Sequence, residues 1–246
     1  MKVGKIALLP LSGTVSSDEG GFKSPAPRVN SYRVLHALQE AEKKRSIKAV
    51  LLAINSPGGA VYPCTEIAKA ITAFPKPTVA WVREYAASGG YMIAASCDHI
   101  VAAESSILGS IGAVSLRPDA SSLLEKLGVT VDTVSSTPDK QFGLPLGPQT
   151  PEERNWREGM VNDIYAMFVA YVRSCRPSMT EEQLEKSASG RAFLGKEALE
   201  LNLIDEIGRY VEALMGAAIL AGVTHPVVVD WSKKIRKAGL LALLGR

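Results

Sequence analysis

The stretch AINSPGGAV, residues 53–61, constrains the fold of this chain more than any other. It closes a buried strand, IKAVLLAI, with Asn-Ser-Pro-Gly-Gly and then opens into a helix. Two adjacent glycines let a backbone come close to something, or turn where a Cβ would clash. The arrangement recurs at AASGGYMIAA, residues 86–95, which follows the strand TVAWV and enters an apolar helix. Strand, glycine turn and helix in succession predict a parallel sheet, whose sites form at the carboxyl ends of its strands.

The rest of the chain alternates in the same way. KIALLPLSG is a first core strand, and SGTVSSDEGGFKSPAPR is an exposed loop rich in glycine and proline. Residues 30–45 form a helix with Val34, Leu35, Leu38 and Ala41 on one face and Asn30 or Ser31 as its cap. TEIAKAITAF is a helix stopped by Pro75 and Pro77. HIVAA is a strand, residues 120–128 are a short helix, and VTVDTVS is a further strand. A long helix over 151–175 opens on Thr150-Pro151-Glu152-Glu153, and another starts at Thr180. GRAFLGKEALELNLIDEIG supplies a strand, a helix and a turn. The class is α/β, with one domain over residues 1–225 and a tail over 226–246. The end of that tail, WSKKIRKAGLLALLGR, is basic and then apolar. It fits an amphipathic helix at a subunit contact or on a membrane surface.

Charge and cysteine content narrow the function classes. A net charge of +3 over 246 residues gives no argument for a nucleic-acid partner. No apolar run reaches the ~18 residues of a membrane span, so a soluble protein is expected. Cys64, Cys97 and Cys175 form no Cys-x-x-Cys pair and read as buried thiols in a reducing, cytoplasmic compartment. His-Glu-x-x-His spacing is absent, so neither a metal nor another cofactor is expected.

Ser88 stands at the second turn, where its hydroxyl can attack a carbonyl while the Gly89 N–H faces the developing oxyanion. The alternative is a serine that only caps the helix, with glycines for tight packing. The turn at Gly58-Gly59 offers a second N–H donor. Phosphate binding is the rival use of such turns, but neither Gly-x-Gly-x-x-Gly nor a P-loop pattern occurs. A serine also needs a base. His36 lies on a charged helix and reads as solvated, whereas His99 or His225 would serve a triad. There is no Gly-x-Ser-x-Gly elbow to support one. A neutral lysine is the other option, since an apolar setting lowers a lysine pKa. Lys140, in TPDKQFGLPLGP beside Phe142 and Leu144, differs from the lysines in charged clusters, with a plain loop lysine as the alternative.

INSPGGAV, AASGGYMIAASCDHIVA, ILGSIGAV and GRAFLGKEALELNLIDEIG, in that order, resemble the signal peptide peptidase A family of serine proteases in its single-domain form. The resemblance runs from about residue 3 to about residue 210. It implies a Clp protease/crotonase-like spiral of strand-strand-helix units, assembled as a homo-oligomer. It also implies a Ser-Lys dyad that cleaves peptides, such as signal-peptide remnants, at small or apolar residues. Carried over, Ser88 is the nucleophile, Lys140 the base, and Ser110 the serine that orients the lysine. Gly58, Gly59 and Gly89 form the oxyanion turns. The run before the lysine, Thr137-Pro138-Asp139, departs from the family's pattern. Alternatives that share the fold are an acyl-CoA-binding enzyme of the crotonase type, a viral capsid-maturation protease and a non-enzymatic scaffold.

Overall fold

A computed structural model of the chain describes residues 3–17 and 28–233. The middle of the expected glycine-rich loop and most of the expected tail helix lie outside the described residues. In chain order the elements are β1 (Val3–Ser12), β2 (Thr14–Ser16), β3 (Arg28–Asn30), α1 (Ser31–Lys43), β4 (Ile47–Ser56) and α2 (Val61–Thr72). Then come β5 (Thr78–Ala87), α3 (Gly89–Ala95), β6 (His99–Ala102), β7 (Ile107–Gly109) and α4 (Ser121–Lys126). A 3-10 helix (Pro138–Gln141) precedes α5 (Pro151–Cys175), α6 (Glu181–Ser187), β8 (Ala192–Leu194), α7 (Gly195–Glu200), β9 (Glu206–Ile207), α8 (Tyr210–Leu220) and β10 (His225–Asp230).

The main sheet has the order β10-β1-β4-β5-β6-β9, every pair parallel. β7 continues alongside the end of β5 and pairs antiparallel with β8. β4 lies near the centre because its residues are apolar on both faces, as a strand covered on two sides requires. Val50, Leu52 and Ile54 pack with α1, α2 and α3, whereas Ala49 and Leu51 pack with α8. Caps fix several helix starts. The Asn30 side chain accepts the Arg33 N–H, and Thr180 and Gln183 form a reciprocal capping box.

The chain divides into two compact units, residues 1–112 with 168–246 and residues 113–167. The second unit holds α4, the 3-10 helix and the start of α5. Its single buried residue is Glu153. A Glu153 carboxylate oxygen accepts the Gly143 N–H at 2.9 Å and lies 3.0 Å from Arg117 Nε. Arg117 donates to the carbonyls of Leu144 and Gly147. This unit is therefore held by polar contacts and by the Phe142–Trp156 ring pair rather than by a buried apolar centre.

Three departures from the sequence expectations have physical reasons. VTVDTVS forms no strand, because no strand of its unit is available to pair with it and its valines stay exposed. The ends of the expected loop are ordered instead, with β2 and β3 paired in parallel. Residues 225–230 form an added edge strand, β10, whose Pro226 is tolerated at an edge position. Trp231 follows it into the core, and its indole N–H donates to the Ala37 carbonyl at 2.9 Å. No helix among the described residues is long and apolar enough to cross a membrane.

Trp231 closes the core at the edge that β10 forms. Trp231→Ala should cost about 3–5 kcal/mol and lower Tm by roughly 10 °C in a scanning unfolding experiment.

Candidate active site

The two glycine turns lie against each other at the carboxyl ends of β4 and β5. A Cβ built on Gly58 would meet the Gly89 nitrogen at 2.6 Å and the Ser88 Cβ at 3.1 Å. A Cβ on Gly90 would meet the Ser56 carbonyl oxygen at 2.5 Å. No other residue type lets these backbones touch. Gly58 also has φ +94°, a region that L side chains avoid.

A short strap laces the first turn in place. The Gly13 N–H donates to the Asn55 carbonyl at 3.0 Å, the Val15 N–H to the Gly58 carbonyl at 2.8 Å, and the Ala60 N–H to the Val15 carbonyl at 3.1 Å. Ser56 Oγ donates to the Gly13 carbonyl at 2.7 Å and accepts the Gly58 N–H at 3.1 Å. Among the described residues the Gly59 N–H is left without a partner, and Gly59 is exposed. The Gly89 N–H, at the first position of α3, is likewise without one.

Ser88 occupies the N-cap position of α3 but does not act as a cap through its side chain. Among the described residues of its own unit, its hydroxyl has no hydrogen-bond partner. Its backbone has φ 51° and ψ −127°, a conformation that costs a non-glycine residue about 1–3 kcal/mol. The strain is held by neighbours: the Ser88 N–H donates to the Gly109 carbonyl at 2.8 Å, and its own carbonyl accepts from Tyr91 and Met92. α3 is anchored in turn because every one of its residues is buried and the Tyr91 hydroxyl donates to the Leu203 carbonyl at 2.9 Å.

Ser110 is the neighbour of Ser88 across the sheet. β5 and β7 pair up to Ala87 and Gly109, and the two serines follow directly on that pair. Ser110 has φ 50°, so both serines have a positive φ that non-glycine residues rarely adopt, and its N–H is held by the Arg191 carbonyl at 2.8 Å. The first unit therefore brings together Ser88, Ser110, Gly58, Gly59 and Gly89. Lys140 belongs to the second unit, exposed on the 3-10 helix.

The histidines take other roles. His99 pairs with Val79 near the start of β5, nine positions before Ser88. At ~3.3 Å per residue, that is roughly 30 Å along the strand. His99 contacts Glu206 at 3.2 Å, and His225 begins β10 opposite Val3, also at the amino end of the sheet. His36 is half-buried on α1 rather than solvated. Lys76 is a lysine whose pKa is held below the usual value, by desolvation and then by Lys48. Its ammonium is committed, however, to the carbonyls of Ala41, Glu42 and Lys44, before β5 begins. The sequence reading missed Ser56 and the strap at Gly13–Val15. Ser56 stood within the quoted motif, but nothing in the sequence shows that its hydroxyl turns back on Gly58.

Cys64 lies beneath the second turn, where a Cβ on Gly89 would meet its sulfur at 2.2 Å. Burial pushes the Cys64 thiol up to about 12 and raises Cys97 as well. At pH 8 both should therefore stay protonated and resist iodoacetamide in the folded protein. Mass spectrometry should find only the partly exposed Cys175 alkylated until denaturant is added.

A model of peptidase family S49 matches residues 71–224, and a Clp protease model matches residues 24–108. A protein of Methanocaldococcus jannaschii named as a protease is 34% identical over 98% of this chain and 79% of its own length. A protein of Enterococcus faecium named as a signal peptide peptidase is 33% identical, over 92% of this chain and 67% of its own length. Among solved structures, a ClpP1 mutant from Listeria monocytogenes superimposes with a TM-score of 0.54 at 12% identity, covering 84% of this chain and 93% of that one. The fold is thus the Clp protease-like α/β fold that the motifs implied.

Proposed function

This chain belongs to peptidase family S49, and on that premise we propose that it is a serine endopeptidase whose nucleophile is Ser88. The observation that carries the proposal is the strained, uncapped Ser88 beside two backbone N–H groups without partners, those of Gly59 and Gly89. A helix-capping serine would spend its hydroxyl on the helix. An enzyme that only polarises a thioester would need the donors but no hydroxyl at this point.

In the proposed reaction Ser88 Oγ attacks the peptide carbonyl and the Gly59 and Gly89 N–H groups stabilise the oxyanion. The base is assigned on sequence grounds to Lys140. Neutral Lys140 takes the serine proton and then delivers it to the leaving amine, after which water hydrolyses the acyl-enzyme. Ser110, strained beside Ser88, is assigned to orient the lysine amine. The substrates are peptides with small or apolar residues at the cut, signal-peptide remnants among them. No cofactor enters this scheme.

We also propose that the working form is a homo-oligomer. In the second unit Val114, Leu116 and Val134 are each about nine-tenths exposed. These side chains are suited to a contact with another molecule, and a second copy is the partner that the Clp-like fold favours. The free thiols fit a cytoplasmic setting; the protease domain takes in β10 and Trp231, which pack on β1 and α1, and the basic-apolar run that follows is assigned to a subunit or membrane contact on its sequence.

Ser88→Ala should abolish labelling by a fluorophosphonate probe and lower kcat by roughly 10³–10⁶. Lys140→Ala should lower kcat by a comparable factor in the same peptide assay, and undiminished cleavage would move the base role elsewhere. Sedimentation velocity at micromolar concentration should show an assembly, and a pure monomer would count against the oligomer.

A further inference from the structure

We infer that Ser56 is a positioning residue of this site, whose hydroxyl takes up the Gly58 N–H and thereby leaves Gly59 as the oxyanion donor of the first turn. The inference rests on the proposed roles of Ser88 and the two turns.

The argument is an accounting of backbone donors. Between Pro57 and Ala60 there are three N–H groups, because proline has none. The Ala60 N–H goes to the Val15 carbonyl, and the Gly58 N–H goes to Ser56 Oγ at 3.1 Å. The Gly59 N–H is the remainder, on an exposed residue whose flanking peptide groups are bonded to Val15. In a parallel bridge of this kind the N–H of the bridged residue points away from its partner strand. The Gly59 donor is thus turned away from the strap.

Ser56 is suited to this role because it is 2% exposed and its hydroxyl is used in both directions. It donates to Gly13, so its lone pair has a defined direction for the Gly58 N–H. Gly58 is buried, so without Ser56 Oγ its N–H has no acceptor and the turn must rearrange to find one. With φ +94° and no side chain, Gly58 is the hinge about which that rearrangement is easiest. A rotation there redirects the next N–H, which is that of Gly59. A misdirected donor harms the tetrahedral state more than the bound substrate, because the oxyanion exists only in the former.

The test uses the full chain with Ser56→Ala, a fluorogenic apolar peptide and a peptide boronate that forms a tetrahedral adduct. Ser56→Ala should lower kcat by about 10–100-fold, change KM by less than about twofold, and weaken the boronate in step with kcat/KM. Ile100→Val, a core change in β6, serves as the control for general loosening and should leave the ratio of boronate affinity to KM unchanged. An unchanged kcat, a rise confined to KM, or the same loss of boronate affinity in Ile100→Val overturns the inference. If Ser56→Ala does not fold, Ser56→Thr, which keeps the hydroxyl, carries the test: kcat within about threefold of the parent supports the role, and a fall of about tenfold or more overturns it. Continued probe labelling of Ser88→Ala overturns the site assignment and this inference together. An inactive Ser88→Ala beside a fully active Ser56→Ala overturns this inference alone.

Discussion

Backbone pressed on backbone at Gly58 and Gly89 is the contact on which the site depends. A Cβ at Gly58 would lie 2.6 Å from the Gly89 nitrogen, and one at Gly59 would lie 2.0 Å from the Val15 carbonyl oxygen. The first contact sets the turn after β4 beside the turn after β5. The second lets the Gly13–Val15 strap bind the first turn along its outer side. With both in place, the Gly58 and Ala60 N–H groups are bonded, whereas those of Gly59 and Gly89 are left without a partner among the described residues. Ser88 is held between them in a conformation that an isolated chain would leave, and its neighbours in β7 and α3 supply the restraint.

The sheet explains why the site lies where it does. β1, β4, β5 and β7 pair in parallel with their neighbours on the path β1-β4-β5-β7, so the turns that follow β4, β5 and β7 gather at one end. The opposite end gathers different chemistry. There Asp98 accepts from the Thr78 N–H and hydroxyl, Arg176 makes a paired contact with Asp205, and His99 contacts Glu206. These polar groups satisfy strand starts and loops rather than a substrate. The separation of roles follows from strand direction, as in other parallel sheets.

Much of this was legible in the sequence. The strands β1, β4, β5 and β6 stood out as short apolar runs bounded by turn residues, and α5 spans the 151–175 expected from its Thr150-Pro151-Glu152-Glu153 start. The pairing of the two glycine turns was legible because each followed a strand and preceded a helix. Other features were not. VTVDTVS has the alternation of a strand, yet alternation does not supply a partner, and the second unit has none to offer. HPVVVD begins with a proline after a histidine and sits beside a basic tail, so its pairing with β1, far away in the chain, had no local signal. The positive φ shared by Ser88 and Ser110 is a backbone property that residue type alone does not reveal. The grip of Ser56 on Gly58 depends on the strap returning to the turn from 43 residues earlier.

The central claim is that Ser88 and the paired turns form one oxyanion-stabilising site. A crystal structure of the protein with a peptide boronate tests it most directly. The account predicts boron bonded to Ser88 Oγ, with one boronate oxygen accepting the N–H groups of Gly59 and Gly89. Boron on another side chain, or an oxygen held by groups outside these two turns, would contradict it.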